Sequence, residues 1–78
     1  MVDLIAVESS VIAAAGYDEK THVLYILYNN GRTYEYYDVS LEVYTGLMAA
    51  ESKGKFLNEK VLDVYQFDRF KGWKRTVS

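Results

Sequence analysis

The strongest constraint on how this chain folds is a hairpin pattern near its middle. Residues 22–37 read HVLYILYNNGRTYEYY, in which two runs of β-branched and aromatic residues flank Asn29, Asn30 and Gly31. Such runs are typical of strands, and Asn and Gly accept the positive φ that a tight turn between antiparallel strands requires. The pattern predicts two antiparallel strands joined by a short turn.

Apolar runs on either side extend the predicted sheet. Residues 9–17, SSVIAAAGY, predict a strand before the hairpin, so that residues 11–37 make a three-stranded antiparallel meander. Residues 66–70, QFDRF, alternate apolar and polar side chains and predict a last strand. We expect Phe67 and Phe70 to pack that strand against the rest of the domain.

Two short helices are predicted between the meander and the last strand. Ser40 is a candidate N-cap, and Glu42 lies in the first turn, where the helix dipole favours an acid. Gly54 predicts the end of this helix, and residues 56–65 suit a second helix with Asn58 as its candidate cap. The expected order is β-β-β-α-α-β, which is an α+β fold.

Both faces of the strand 22–28 are apolar. Each face carries three large residues: Leu24, Ile26 and Tyr28 on the first, Val23, Tyr25 and Leu27 on the second. An antiparallel sheet with one solvated face should instead alternate apolar and polar residues. We expect the core on the first face, and a terminal strand, a helix or a second subunit over the second. A homo-oligomer is therefore predicted, with these candidate interface residues: Val23, Tyr25, Leu27 and Tyr37.

Length and composition limit the classes of protein and site. Seventy-eight residues make one domain, with a core at about 9–70 and a basic tail at 71–78. The chain has no cysteine and one histidine, so we expect neither a disulfide nor a metal site, and no cofactor. Its apolar runs fall short of the ~20 residues that a membrane span needs. We expect a cytoplasmic protein.

Charge is distributed unevenly along the chain. Residues 1–51 hold eight acids and two bases, a net charge of −6, whereas residues 52–78 hold seven bases and three acids, a net charge of +4. Proteins that grip long nucleic acids neutralise many phosphates and are usually basic overall. The distribution favours a compact anion over an extended one as ligand.

The motif SKGK, residues 52–55, is the first candidate binding site. Ser52, Lys53 and Lys55 around Gly54 can present a hydroxyl, two ammonium groups and backbone N–H groups to a phosphate. The spacing does not match that of a P-loop. A helix stop with solvated lysines explains the same residues, so both interpretations stay open.

Two aromatic segments offer further candidates. Tyr34 and Tyr36 share one face of a predicted strand, where they can stack on bases or pack in the core. The segment RFKGWKR places Arg69 and Lys71 beside Trp73, a composition found at nucleic-acid contacts and equally in solvated basic tails. Catalysis finds little support, because the serines have only His22 as a base and the spacing supplies no orienting acid. We expect a protein that is not an enzyme.

The chain resembles the KTSC domain family, named for the C-termini of some lysyl-tRNA synthetases. The resemblance covers about residues 9–70, and its most specific parts are the segments YEY, residues 34–36, and SKGKFLN, residues 52–58. It implies a small binding module of bacteria and their phages, with RNA as a suggested ligand. The candidate ligand-binding residues are Tyr34, Tyr36, Ser52, Lys53, Gly54, Lys55, Asn58, Arg69, Lys71 and Trp73.

Three functions stay open at this point. The first is an oligomeric, non-enzymatic protein that sequesters a small phosphorylated nucleotide, such as a cyclic dinucleotide signal, in a phage counter-defence role. The second is a module that binds single-stranded RNA or tRNA, as the resemblance implies. The third is a protein-interaction module without a ligand, which would use the second face of the sheet.

Overall fold

The computed structural model describes residues 3–70 of the 78-residue chain. Its five strands form one antiparallel sheet in chain order, and two helices come between the fourth and fifth strands. The α+β fold predicted from the sequence is confirmed. In chain order the elements are β1 (Ile5–Ala6), β2 (Ile12–Asp18), β3 (Val23–Tyr28), β4 (Thr33–Tyr36), α1 (Leu41–Ala49), α2 (Lys53–Lys60) and β5 (Phe67–Phe70).

The central hairpin follows the predicted pattern. Gly31 has a φ of 92°, and its N–H donates to the Tyr28 carbonyl at 2.9 Å. The Asn30 side-chain oxygen accepts from the Arg32 N–H at 2.9 Å, which satisfies the turn's backbone locally. These hydrogen bonds within the turn therefore set the register of β3 against β4.

Strand β1 was not predicted. It has two residues, Ile5 and Ala6, which pair with Ala15 and Ala14 of β2. Two residues are too few to show a period, so only the tertiary pairing reveals this strand. With β1 added, β2 lies inside the sheet, and β1 and β5 are its edges.

The junction between the helices corrects the predicted boundaries. Helix α1 ends at Ala49, and α2 begins at Lys53 rather than Phe56. Ser52 is the N-cap of α2, since its side-chain oxygen accepts from the Lys55 N–H at 3.3 Å. Gly54 therefore lies in the first turn of α2 and does not end α1, and Asn58 lies inside α2 and is not its cap.

A close packing contact explains why residue 54 is glycine. A Cβ atom built on Gly54 would lie 2.7 Å from Cγ2 of Val11, which is closer than carbon atoms approach without strain. Glycine at this position allows the first turn of α2 to lie against the loop before β2. Gly54, which the sequence analysis interpreted as a helix stop, instead allows α2 to pack closely against Val11.

The core lies on the predicted face of the sheet. Leu24 and Ile26 of β3 are fully buried there, and both helices contribute side chains to the same cluster. Tyr36 pairs with Leu24 across β3 and β4, and its ring is 2 % exposed. The cluster's buried members are Ile12, Ala15, Leu24, Ile26, Tyr36, Val39, Leu47, Leu57 and Val61.

The second face of the sheet carries the predicted interface residues. Val23 is 8 % exposed, Tyr25 and Leu27 are half-buried, and Tyr37 follows β4. The Tyr25 ring contacts the Phe70 ring edge-on, with centroids 5.1 Å apart. Register places Phe70 on this face, and it places Phe67 on the core face, where 53 % of Phe67 is exposed. The expectation that both phenylalanines pack is therefore only partly met.

Candidate functional site

A cleft lies where α2 begins against the loop before β2. Its volume is about 530 Å3, and its walls come from α2, from the Ser9–Ser10 loop and from the end of β3. We call it the α2 cleft; its lining includes Ser9, Ser10, Val11, Tyr28, Glu51, Ser52, Lys53, Gly54, Lys55, Leu57, Asn58, Glu59 and Leu62. Five of the predicted ligand residues, 52–55 and 58, thus line one cavity.

The two lysines of the SKGK motif differ in their surroundings. The Lys53 ammonium donates to the Ala50 carbonyl at 2.8 Å, so it satisfies an unpaired acceptor just beyond the end of α1. The Lys55 side chain is exposed and forms no hydrogen bond or ion pair with another described residue. Lys55 is therefore the ammonium of the two that can meet a ligand without breaking a contact.

The α2 terminus supplies hydrogen-bond donors to the cleft. The first-turn N–H groups of an α-helix have no partner in the helix, and they carry the positive end of its dipole. Ser52 uses its oxygen to accept from Lys55 N–H, which leaves its hydroxyl proton to donate elsewhere. These groups can bind an anion together with the Lys55 ammonium.

Two acids share the cleft with the lysines. Glu51 and Glu59 also line it, so two carboxylates oppose two ammonium groups and the charge of its lining is close to balanced. The charge distribution along the chain does not predict this balance, because Glu51 belongs to the acidic part of the sequence and Glu59 is outnumbered by the bases of residues 52–78. Attraction of an anion here depends on the positions of Lys55 and the helix amides rather than on net charge.

An aromatic cavity of about 330 Å3 lies beside the α2 cleft. The Tyr34 ring lies 5.6 Å from the rings of both Tyr28 and Phe67, measured between centroids. Tyr34 is half-buried and Phe67 is 53 % exposed, so these two rings offer surface to a ligand. Phe67 was not among the predicted site residues, because the alternation of apolar and polar residues in QFDRF predicted that it packs against the rest of the domain.

Tyr36 belongs to the core, and it also borders the aromatic cavity. Its ring is 2 % exposed, and its hydroxyl lies 2.6 Å from that of Tyr28. Burial and the Tyr28 hydroxyl raise the pKa of Tyr36 far above the usual value. Burial also raises the pKa of Tyr28, so both phenols stay neutral at physiological pH. Of the predicted stacking pair, Tyr34 is half-buried and offers ring surface to the aromatic cavity, whereas Tyr36 borders that cavity from within the core.

The two cavities adjoin along a shared wall. Tyr28 and Leu62 line both the α2 cleft and the aromatic cavity. Tyr28 ends β3, and Leu62 follows α2. Donors for an anion and ring faces for a flat group therefore lie side by side on the core side of the sheet.

The remaining predicted residues do not join this site. Arg69 lines another cavity, formed mainly on the second face of the sheet. The predicted contacts through Lys71 and Trp73 lie outside the described residues. Val23, Tyr25 and Leu27 lie on the second face, away from both helices.

The histidine and the N-terminal serines that the sequence analysis considered lie apart in the fold. His22 is exposed in the turn between β2 and β3, at the other end of β2 from Ser9 and Ser10. These residues include no group of three or more His, Asp or Glu side chains that could hold a metal ion. In the same stretch, neither helix has the length and apolar character needed to cross a membrane.

Comparison with known proteins identifies the family. The KTSC domain model matches residues 8–65. A protein of Tsukamurella paurometabola is 52 % identical over 52 residues, which are 67 % of this chain and 78 % of that protein. A lysine–tRNA ligase of Nostoc punctiforme is 35 % identical over 66 residues, 85 % of this chain but only 12 % of the ligase.

A solved structure agrees with the sequence matches. The crystal structure of a KTSC domain protein from Yersinia pestis superimposes with a TM-score of 0.86 at 28 % sequence identity. The match covers 91 % of this chain and all of that one. The chain belongs to the KTSC domain family.

Proposed function

We propose that this protein is not an enzyme and that it binds and sequesters a small phosphorylated nucleotide, such as a cyclic dinucleotide, in the cytoplasm. One observation carries the proposal: the α2 cleft and the aromatic cavity share the wall made by Tyr28 and Leu62. A nucleotide needs an anion site and an aromatic surface at short range, and this arrangement supplies both.

The phosphate would lie against Lys55, the Ser52 hydroxyl and the first-turn amides of α2. Each of these groups donates hydrogen bonds, and those to a charged oxygen are stronger than neutral ones. The base would lie on Tyr34 and Phe67, and base stacking on an aromatic ring contributes about 1–3 kcal/mol. Glu51 and Glu59 could accept from the ribose hydroxyls or from the amino group of a base.

A second copy of the chain would complete the site. Both cavities are open on the single chain, and binding pockets usually bury most of their ligand. A cyclic dinucleotide carries two phosphates and two bases, which two copies of the α2 cleft and aromatic cavity match in number. Sequestration by an oligomer needs only tight binding and no bond cleavage.

Thermal unfolding with a panel of nucleotides tests the proposal. At ligand concentrations about 100-fold above Kd, binding adds about 2.7 kcal/mol, which for a domain of this size raises Tm by roughly 10–20 °C. We expect such a shift with at least one cyclic dinucleotide, and we expect the intact ligand to be released after heating. No shift with any member of the panel would contradict the proposal.

A pair of charge variants locates the phosphate. We expect Lys55→Gln to weaken binding by about tenfold or more, because hydrogen bonds to charged groups contribute about 1.5–3 kcal/mol. Lys20→Gln removes the same charge from the turn between β2 and β3 and should leave affinity unchanged. Equal affinities of the two variants, measured by calorimetry, would exclude Lys55 as the phosphate ligand.

RNA binding is the second candidate, because a segment like this chain occurs in a lysine–tRNA ligase. Binding to an RNA strand should weaken steeply with salt, since each phosphate that is neutralised releases counterions. A small nucleotide gives a much smaller salt slope. Affinities for a 20-mer RNA and a cyclic dinucleotide, compared across salt concentrations, therefore distinguish the two candidates.

A further inference from the structure

Two carboxylates lie directly opposite each other on the second face of the sheet. Register pairs Tyr25 with Glu35, and Glu35 with Asp68, so these three side chains form one row across β3, β4 and β5. Burial, a hydrogen bond with Glu35 and the charges of Glu35 and Asp68 raise the pKa of the nearby Tyr37. The two acids therefore share one small area of this face, and we call them the acid pair.

The acid pair is an unfavourable arrangement when it stands alone. Like charges directly opposite each other on neighbouring strands destabilise a sheet. Glu35 is half-buried and Asp68 is exposed, and neither forms an ion pair with a base of residues 3–70. The side chains beside them include Tyr25 and, two residues along β5, Phe70. A partner that fits this area carries positive charge together with an apolar or aromatic group.

The chain itself contains a segment of that chemistry. Residues 71–78, KGWKRTVS, lie outside the described residues; they hold three bases and a tryptophan, and no acid. We call them the basic segment. Fully extended, eight residues span about 26 Å, whereas five strands at about 4.8 Å spacing make a sheet roughly 19 Å wide. The basic segment is therefore long enough to cross the second face.

The direction of β5 favours a second copy as the source of the basic segment. β5 runs from Asp68 towards Phe70, beside the hairpin turn, and so away from the acid pair. A segment of the same copy would have to reverse direction to reach the two acids. A second copy that runs antiparallel to the first, and overlaps it at the hairpin-turn end, can extend its segment over them directly.

We propose that the second face is the docking surface for the basic segment of a second copy. The bases of the segment pair with Glu35 and Asp68, and Trp73 contacts the aromatic side chains beside them. Exchange in both directions gives a symmetric dimer, in which each copy supplies the positive charge that the other lacks. The acid pair lies on the face opposite the α2 cleft, and this proposal does not depend on the proposed function.

A charge-swap experiment tests the contact and the exchange together. One variant carries Glu35→Lys and Asp68→Lys; the other carries Lys71→Glu, Lys74→Glu and Arg75→Glu. Each alone brings like charges together, so we expect both to be monomers by light scattering after size exclusion. An equimolar mixture restores opposite charges in both contacts and should form a heterodimer. Variants that dimerise alone, or a mixture that stays monomeric, would overturn the proposal, because mixing cannot restore a contact within one copy.

A control variant separates the contact from the change in net charge. It carries Glu42→Lys and Asp63→Lys, which replace two exposed acids outside the sheet. The net charge changes by the same amount as in the first variant, and we expect this protein to remain a dimer. A monomeric control would show that net charge, and not the acid pair, governs association.

The salt dependence of the unsubstituted protein is a second test and needs no variant. We expect the dissociation constant of the dimer to rise about tenfold between about 50 and about 500 mM NaCl, because salt screens charge pairs. Light scattering over a range of protein concentrations measures it. A dissociation constant that is unchanged or lowered by salt, or a protein that is monomeric throughout, would contradict the proposal.

Discussion

At the scale of single residues, the SKGK motif contains two kinds of side chain that its letters do not distinguish. Lys53 donates to the Ala50 carbonyl and Gly54 packs against Val11, so both have structural roles. Lys55 is exposed beside them in the α2 cleft. Contacts, rather than residue types, separate the binding candidate from its neighbours.

Gly54→Ala should destabilise the protein by about 1–2 kcal/mol. Overpacking against the stiff Val11 side chain costs about 1–3 kcal/mol, and this outweighs the gain of up to ~1 kcal/mol from alanine in a helix. Urea unfolding measures the change. In a Val11→Ala background the clash is absent, so the same substitution should then be neutral or stabilising; an equal loss in both backgrounds would contradict the packing explanation.

Because of Tyr36, the free energy of unfolding should decrease as the pH rises in the alkaline range. Its pKa is raised in the folded protein, so the folded state holds the phenolic proton at pH values where the unfolded chain releases it. Stability is therefore full below about pH 10 and falls above it, with a slope of at most ~1.4 kcal/mol per pH unit for this group. Urea unfolding between pH 8 and 11 should give a smaller slope for Tyr36→Phe than for the unsubstituted protein.

At the scale of elements, the three-residue junction between α1 and α2 contributes Glu51 and Ser52 to the lining of the α2 cleft. Residues 50–52 end one helix and begin the next, and the Ser52 side chain caps α2. A helix as short as α2, Lys53–Lys60, depends on its cap and on packing. The cap therefore positions the donors that face the cleft.

Ser52→Ala should lower stability by about 1 kcal/mol, since it removes the cap hydrogen bond. Ser40→Ala is the matched control, because Ser40 occupies the N-cap position of α1 but its side chain makes no cap hydrogen bond. Urea unfolding of both variants measures the difference. Equal losses would show that the Ser52 hydrogen bond adds nothing to stability.

At the scale of the whole molecule, the sheet has a helix-covered face and a second face rich in apolar residues. The α2 cleft and the aromatic cavity belong to the helix side, whereas Tyr25, Leu27 and a smaller cavity beside the hairpin turn belong to the other. Association through the second face leaves the helix side free, so completion of the nucleotide site by a second copy would need a further contact between copies on the helix side.

We expect the protein to associate through this second face. Leu27→Asp adds a charge to a half-buried position of that face and should reduce the mass in solution to that of the 9.0 kDa monomer. Glu42→Lys changes an exposed residue of α1 and serves as the control. Light scattering after size exclusion measures the masses; an unsubstituted protein that is monomeric at high concentration would contradict the prediction.

The sequence by itself determined the hairpin, the core face of β3 and the order of the later elements. These features follow from local rules: Gly31 accepts a positive φ, side chains alternate along a strand, and helix caps have preferred residues. The same local information placed the SKGK motif near a helix start. Structural features that depend only on residues nearby in the chain can be predicted from the sequence.

Only the tertiary structure decided which residues line the same cavity and which pack in the interior. Gly54 packs against Val11, Tyr36 is buried and Phe67 is exposed, because each of these depends on residues far away in the sequence. The two-residue β1 likewise exists through its pairing with β2. Burial and close contact arise between elements, and a linear pattern does not contain the distances between them.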